Sequence, residues 1–290
     1  MNKNTHNMKI ALYYRYIDDT DRQAFDLLLK VLGERSVEAV TVHDGDSVDG
    51  CDYLFSIGGD GTLLSSVQFV HSSNPNSFPP IVGINFGHLG FLTTVGKENL
   101  AAMVDDLIAG RFTLEQRTLL QINSQQLEVD NSFALNEVFL HRPVESSLLR
   151  TEVYVDGDYV ATYAGDGVIV ATPTGSTAYS LSCGGPILTP DSGSLVITPI
   201  GAHTLTLRPI IVPDSARLRL VTVPTTHHDG SPHRVDQFTL GMDSRRLTLT
   251  AGTELHLQRA PFAISLIRMN TQNFFSAIRD KLMWGTEVRQ

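Results

Sequence analysis

Four short segments of the 290-residue chain carry residue types that can do chemistry. The first is Gly58-Gly59-Asp60-Gly61-Thr62, set between a strand-like apolar run and a helical one. Its glycines let the backbone approach a ligand without a Cβ collision. The following helix offers unpaired N–H groups to an anion, so the loop can cradle phosphate. An acid in a loop that only bound phosphate would repel its ligand. It makes sense beside a hydroxyl nucleophile or a magnesium ion, and Asp60 is therefore the catalytic candidate. The plainer alternative is a tight turn at the end of a sheet strand. The second segment, Asn85 to Leu92, again leaves a strand through glycines, which suggests a second loop at the sheet edge where α/β folds bind ligands; the alternative makes Phe91 and Leu92 core residues. The third, Leu135 to Leu140, sets Asn136 and Glu137 side by side in an apolar strand. Alternation sends at least one of them toward a core or pocket, where ribose hydroxyls would be suitable partners; a strand end in solvent is the alternative. The fourth runs from Gly165 to Pro186, where a strand ends at Thr172-Pro173 and gives way to small hydroxyl residues and glycine. These offer hydrogen-bonding groups to a nucleotide, with Tyr179 able to stack on a flat ring, although any long loop uses the same residue types.

Other constellations carry less. There is no GxxxxGK[ST], because Gly96-Lys97 is followed by Glu98, and no GxGxxG. His88 has no second ligand at metal spacing, and His227, His228, Asp229 and His233 read as a solvated hairpin loop. Ser176 is not in GxSxG, and Cys183 reads as a packing residue. No metal site is expected from side chains alone.

The elements that must position these residues alternate over the first 110 or so positions, as in an α/β layer with a mostly parallel sheet. Strands are predicted at Ile10 to Tyr14, Val37 to Val42, Tyr53 to Ile57 and Ile81 to Asn85. Helices are predicted at Asp21 to Leu32, at Leu63 to His71, and where Leu100, Met103, Val104, Leu107 and Ile108 share a face. After Phe112, short β-type segments separated by turns such as Asp156-Gly157 and Asp229-Gly230-Ser231-Pro232 read as a β-rich domain. A closing helix at Asn273 to Trp284 could return to the first domain. The expected organisation is residues 1–112, 113–272 and 273–290.

The chain is 42% hydrophobic and 18% charged, a globular composition large enough for about two domains. Apolar runs such as Val168 to Ala171 fall far short of the roughly 18 residues that span a bilayer, and the polar start lacks a signal's apolar middle. A cytoplasmic protein is expected. Two cysteines without CxxC spacing read as reduced thiols. A net charge of -9 without a basic stripe argues against nucleic acid and anionic membrane as partners.

Taken together, GGDGT, NxGxLGFL, NExxLH (residues 136–141) and DGxIxxTPTGSTAYSLSxGGP closely resemble the NAD kinase family, over nearly the whole chain. GGDGT is shared with lipid kinases and, in related form, with phosphofructokinases; TPTGSTAY separates those relatives. The resemblance implies a Rossmann-like, phosphofructokinase-like α/β domain, an all-β second domain, and transfer of the ATP γ-phosphoryl to the 2′-hydroxyl of the adenosine ribose of NAD. Asp60 would accept the proton, with Gly58, Gly59, Gly61 and Thr62 as phosphate loop. The NAD contacts implied are Asp60, Gly61, Phe91, Asn136, Glu137, Ala164, Asp166, Thr177, Ala178, Tyr179, Ser180, Leu181, Ser182 and Arg245. Ser147 and Ala164 stand where some members carry a basic or larger side chain, and Arg245 where others have a neutral amide. A divalent ion such as Mg2+ would accompany ATP, and the family assembles as homodimers or homotetramers through its β-rich domain. The rival readings are a GGDGT-type lipid or sugar kinase and a catalytically idle NAD-binding sensor. Asp60→Asn is expected to leave folding intact.

Overall fold

The computed structural model describes residues 7–73, 78–88, 90–127, 132–143, 148–224, 237–269 and 273–285. The His227–His233 cluster, the turn at 229–232 and Ser147 lie outside them. Two compact units are formed, one within residues 1–116 and 264–290, the other within 117–263.

In the first unit, β1 (Lys9–Tyr13), α1 (Arg22–Glu34), β2 (Glu38–Val42), β3 (Tyr53–Ile57), α2 (Asp60–Ser73) and β4 (Ile81–Asn85) follow one another. The strands pair in parallel in the order β2-β1-β3-β4, Leu12 lying beside both Thr41 and Phe55. Ile10, Ala11, Leu12, Leu54 and Phe55 are fully buried, which is why these strands read as continuous apolar runs. Helix α1 contributes Phe25, Leu28, Val31 and Leu32 to the core. β5 (Val95–Gly96) pairs with β4 and precedes α3 (Leu100–Ile108). Helix α3 buries Leu100, Met103, Val104 and Leu107, whereas Ile108 is 47% exposed because it falls at the margin of the stripe. Helix α2 begins earlier than its apolar pattern indicated, at Asp60 itself, an acid in the first turn where the helix dipole favours it.

The chain enters the second unit within β6 (Phe112–Asn123). There follow β7 (Phe133–Ala134), β8 (Glu137–His141), β9 (Leu149–Val155), β10 (Asp158–Gly165), β11 (Gly167–Ala171), α4 (Tyr179–Ser182), β12 (Ser194–Ile200), β13 (Ile210–Pro213), β14 (Leu218–Val223), β15 (Gln237–Met242), β16 (Arg245–Thr250) and β17 (Glu254–Met269). One antiparallel sheet runs β13-β12-β11-β8-β15-β16, and β10-β9-β14-β17 form a second antiparallel set. Val138, Leu140, Val168, Val170, Phe238 and Leu240 meet Val153, Leu218, Leu220, Leu255 and Leu257 in a shared core. Asp156 and Gly157, at φ 51° and 95°, form the predicted β9–β10 turn. The end of β17 belongs to the first unit, where Leu266 pairs in parallel with Ile81. So does α5 (Phe274–Leu282), which opens with a capping box between Asn273 and Ser276.

Candidate active site

Because β3 and β4 are parallel neighbours, the loops that leave their carboxyl ends emerge together, and they are the first two segments singled out above. Asp60 joins them. Its Oδ2 accepts the Phe91 N–H at 2.8 Å, and its Oδ1 accepts the N–H groups of Leu92 and Thr93 at 3.1 and 3.0 Å and the Thr93 hydroxyl at 2.9 Å. Four donors thus fix the carboxylate, which has a structural task besides any chemical one. Glycine is required at position 90, where a Cβ would overlap the Asp60 carboxylate and the Thr93 hydroxyl. An amide in place of Asp60 would turn an NH2 toward one of these donors, so the expectation that Asp60→Asn leaves the fold undisturbed is replaced by one of a loosened second loop. Phe91 is partly buried, its ring under the Lys281 ammonium at 5.5 Å from the centroid.

In the second unit, alternation along β8 sends Val138 and Leu140 into the core and puts Glu137, Phe139 and His141 on the other face. With Tyr179, Thr239, Asp243 and Arg246 they line a cavity of about 400 Å³. Tyr179 meets Phe139 edge-to-face at 5.6 Å, and the Arg246 guanidinium lies 5.8 Å from the Phe139 centroid. Glu137 is 7% exposed, and its pKa is pushed up to about 8 by burial and then by the Asp243 charge. Asp243, at the β15–β16 turn with φ 53°, accepts the N–H groups of Leu135 and Asn136 at 2.8 Å each and of Glu137 at 3.3 Å. Burial raises its pKa against those three bonds. Among the described residues, Asn136 Oδ1 and Glu137 Oε2 are buried without a hydrogen-bond partner. Such atoms are costly unless a ligand or water completes them.

The fourth segment is tied largely to its own chain. Thr172 donates to the Leu135 carbonyl at 2.6 Å, Ser176 to that of Pro173 at 2.7 Å, Thr177 to that of Thr174 at 3.2 Å, and Ser180 shares a 2.8 Å bond with Thr198. Arg117, 3% exposed, donates to Thr174. Gly175 packs so closely on the Asn136 backbone that a Cβ would collide with it. Much of the hydroxyl array therefore builds the loop, leaving Tyr179 to face the cavity. Asp166 accepts from Arg142 Nε at 2.6 Å. Arg245 donates to the Phe133 carbonyl and stacks on that ring, 5.1 Å from the centroid. Asn136, Ala164, Asp166, Thr177, Ala178, Ser180, Leu181, Ser182 and Arg245 are not among the described cavity walls. Thr239, Asp243 and Arg246, which also line the cavity, belong to no motif in the sequence. The Asp243-Ser244 turn was the one available signal, since Asp tolerates left-handed backbone.

Glycine loops at the carboxyl ends of parallel strands, joined to an antiparallel β unit, define a nucleotide-handling α/β architecture. The ATP-NAD kinase N-terminal domain family matches residues 14–112, and the ATP-NAD kinase C-terminal domain family matches 135–269. The NAD kinase of Christiangramia forsetii is 35% identical over 97% of this chain and 100% of its own length; that of Cytophaga hutchinsonii is 41% identical over 82% and 77%. The yeast NADH kinase complexed with NADH has a similar fold, with a TM-score of 0.84 at 22% identity over 99% of this chain and 90% of that one. An NAD kinase from Archaeoglobus fulgidus in complex with ATP gives 0.75 at 23% identity, over 94% and 99%. This chain belongs to the NAD kinase family.

Proposed function

We propose that this chain transfers the γ-phosphoryl of ATP to the 2′-hydroxyl of the adenosine ribose of NAD, with Asp60 accepting the proton. One observation carries the role of Asp60. Its carboxylate is held by four donors from a single loop, yet Oδ2 accepts only one of them and keeps a lone pair for a substrate hydroxyl. Phosphoryl transfer depends mainly on positioning and charge neutralisation, so a fixed carboxylate that takes the proton late suffices. We assign the first unit, with the closing segment 273–290, to this chemistry and the β-rich unit within residues 117–263 to holding the dinucleotide. In the β-rich part, the orphaned oxygens of Asn136 and Glu137 support a role in receiving hydroxyl or amide donors of NAD. Because Ser180 is occupied by Thr198, the 177–182 segment is read as contributing through backbone and ring contacts with NAD, with Ala164, Asp166 and Arg245 completing its surroundings.

No three His, Cys, Asp or Glu side chains are gathered for a metal among the described residues. A divalent ion, which we take to be Mg2+, would arrive on the triphosphate as part of that substrate, since Mg2+ is commonly carried by phosphates and one or two carboxylates. No helix of the described residues is long and apolar enough to cross a membrane. We further propose cytoplasmic residence and assembly into homodimers or homotetramers, the latter tested by size-exclusion chromatography with light scattering. The deciding experiment incubates purified protein with NAD, ATP and magnesium and reads NADP with an NADP-specific dehydrogenase. NADP accumulation is expected. NAD binding without NADP would favour the idle sensor, and phosphorylation of lipid or sugar instead would favour the rival kinase.

A further inference from the structure

The backbone that clamps Asp60 is itself held from behind. Arg268, near the end of β17, has a side chain only 14% exposed. Its Nε donates to Glu115 Oε2 at 2.5 Å, and its Nη2 donates to the Phe91 carbonyl at 3.1 Å. Phe91 therefore bonds in two directions, through its carbonyl to Arg268 and through its N–H to Asp60 Oδ2. A planar guanidinium presents its donors to two acceptors in a rigid fork, whereas a lysine ammonium offers three rotatable donors from a single nitrogen. The loop contains Gly87 and Gly90, whose backbone freedom makes an outside anchor worth having.

We propose that Arg268 is a positioning residue for phosphoryl transfer, fixing the Phe91 carbonyl and, through the Phe91 N–H, the carboxylate of Asp60. This rests on the reading of Asp60 as proton acceptor. Arg268 also forms part of the wall of a cavity of about 470 Å³ in the first unit, beside His88, Phe91, Asp280 and Lys281, so direct contact with a substrate is the competing role. The two differ in kinetics. A residue that places the acceptor changes kcat, whereas one that binds substrate changes KM.

The test measures NADP formation and thermal melting for the full chain and for Arg268→Met, Arg268→Lys, Glu115→Gln, Asp60→Asn and the Asp60→Asn/Arg268→Met double variant. Arg268→Met should lower kcat about 10- to 100-fold with KM for NAD and ATP within about 2-fold, since displacements near 1 Å carry losses of that order. Arg268→Lys should recover only part of the loss. In the Asp60→Asn background, removing Arg268 should cost less than about 2-fold, because its effect runs through the carboxylate already lost. An unchanged kcat, a raised KM at unchanged kcat, or a full second loss in the double variant would each overturn the role. If Arg268→Met does not fold, Arg268→Lys and Glu115→Gln carry the same reading, and wild-type kcat in both overturns it. Wild-type protein that makes no NADP overturns the proposed activity and this role together, whereas active wild type with an unaltered Arg268→Met overturns the role alone.

Discussion

The carboxylate of Asp60 and the polar pair Asn136–Glu137 are built on opposite principles. Asp60 is met by three backbone N–H groups and a hydroxyl, all from the loop at 91–93. Asn136 Oδ1 and Glu137 Oε2 are buried and orphaned. The first region is complete before any ligand arrives, as a group that must sit in one place at the moment of reaction should be. The second holds polarity in reserve, a cost that a ligand with matching donors would offset. Folding thus completes the proposed catalytic group and leaves the proposed binding surface unfinished.

Asp60→Asn is the hardest blow to this contrast. It should lower NADP formation roughly 10²- to 10⁴-fold and loosen the 91–93 loop, visible as faster amide exchange there; wild-type turnover in the folded variant would remove Asp60 from the chemistry. Next comes Glu137→Gln. A carboxyl whose folded pKa is raised from 4.5 to about 8 binds its proton more tightly in the folded state, so its contribution to stability is present below about pH 4.5 and is lost as pH rises toward 8. The variant should therefore melt at a temperature that falls less between pH 5 and pH 8.5 than that of wild type, and should show a raised KM for NAD. Identical pH dependence in the two proteins would mean that Glu137 is not held protonated. The smallest effect is expected from Ser180→Ala, which removes the bond to Thr198 and should cost about 1 kcal/mol by denaturant titration while changing KM for NAD less than about 2-fold. A large KM change would return Ser180 to the ligand.

How far these regions could be read in advance follows from where their information lies. Parallel strands buried on both faces announce themselves as apolar runs, and Tyr53–Ile57 and Ile81–Asn85 fall where they were expected. The hydrophobic pattern of α2 begins only at Leu63 and so predicts a late start, whereas the helix begins with the polar Asp60. Alternation predicts only that at least one of Asn136 and Glu137 faces a core or a pocket; Glu137 is the one that lines the cavity. Asp243 was not legible, because its partners lie 106 to 108 positions away.

Local order of residue types was enough to determine the α/β-then-β layout and the glycine loops at strand ends, because periodicity and turn chemistry act over a few neighbours; the family was legible only as a resemblance carried by four motifs. Tertiary structure alone decided that the second loop clamps Asp60, that Thr172, Ser176 and Ser180 bond their own chain, and that Arg268 reaches Phe91. Hydrogen bonds across such separations depend on strand order and register, which no local stretch of sequence encodes.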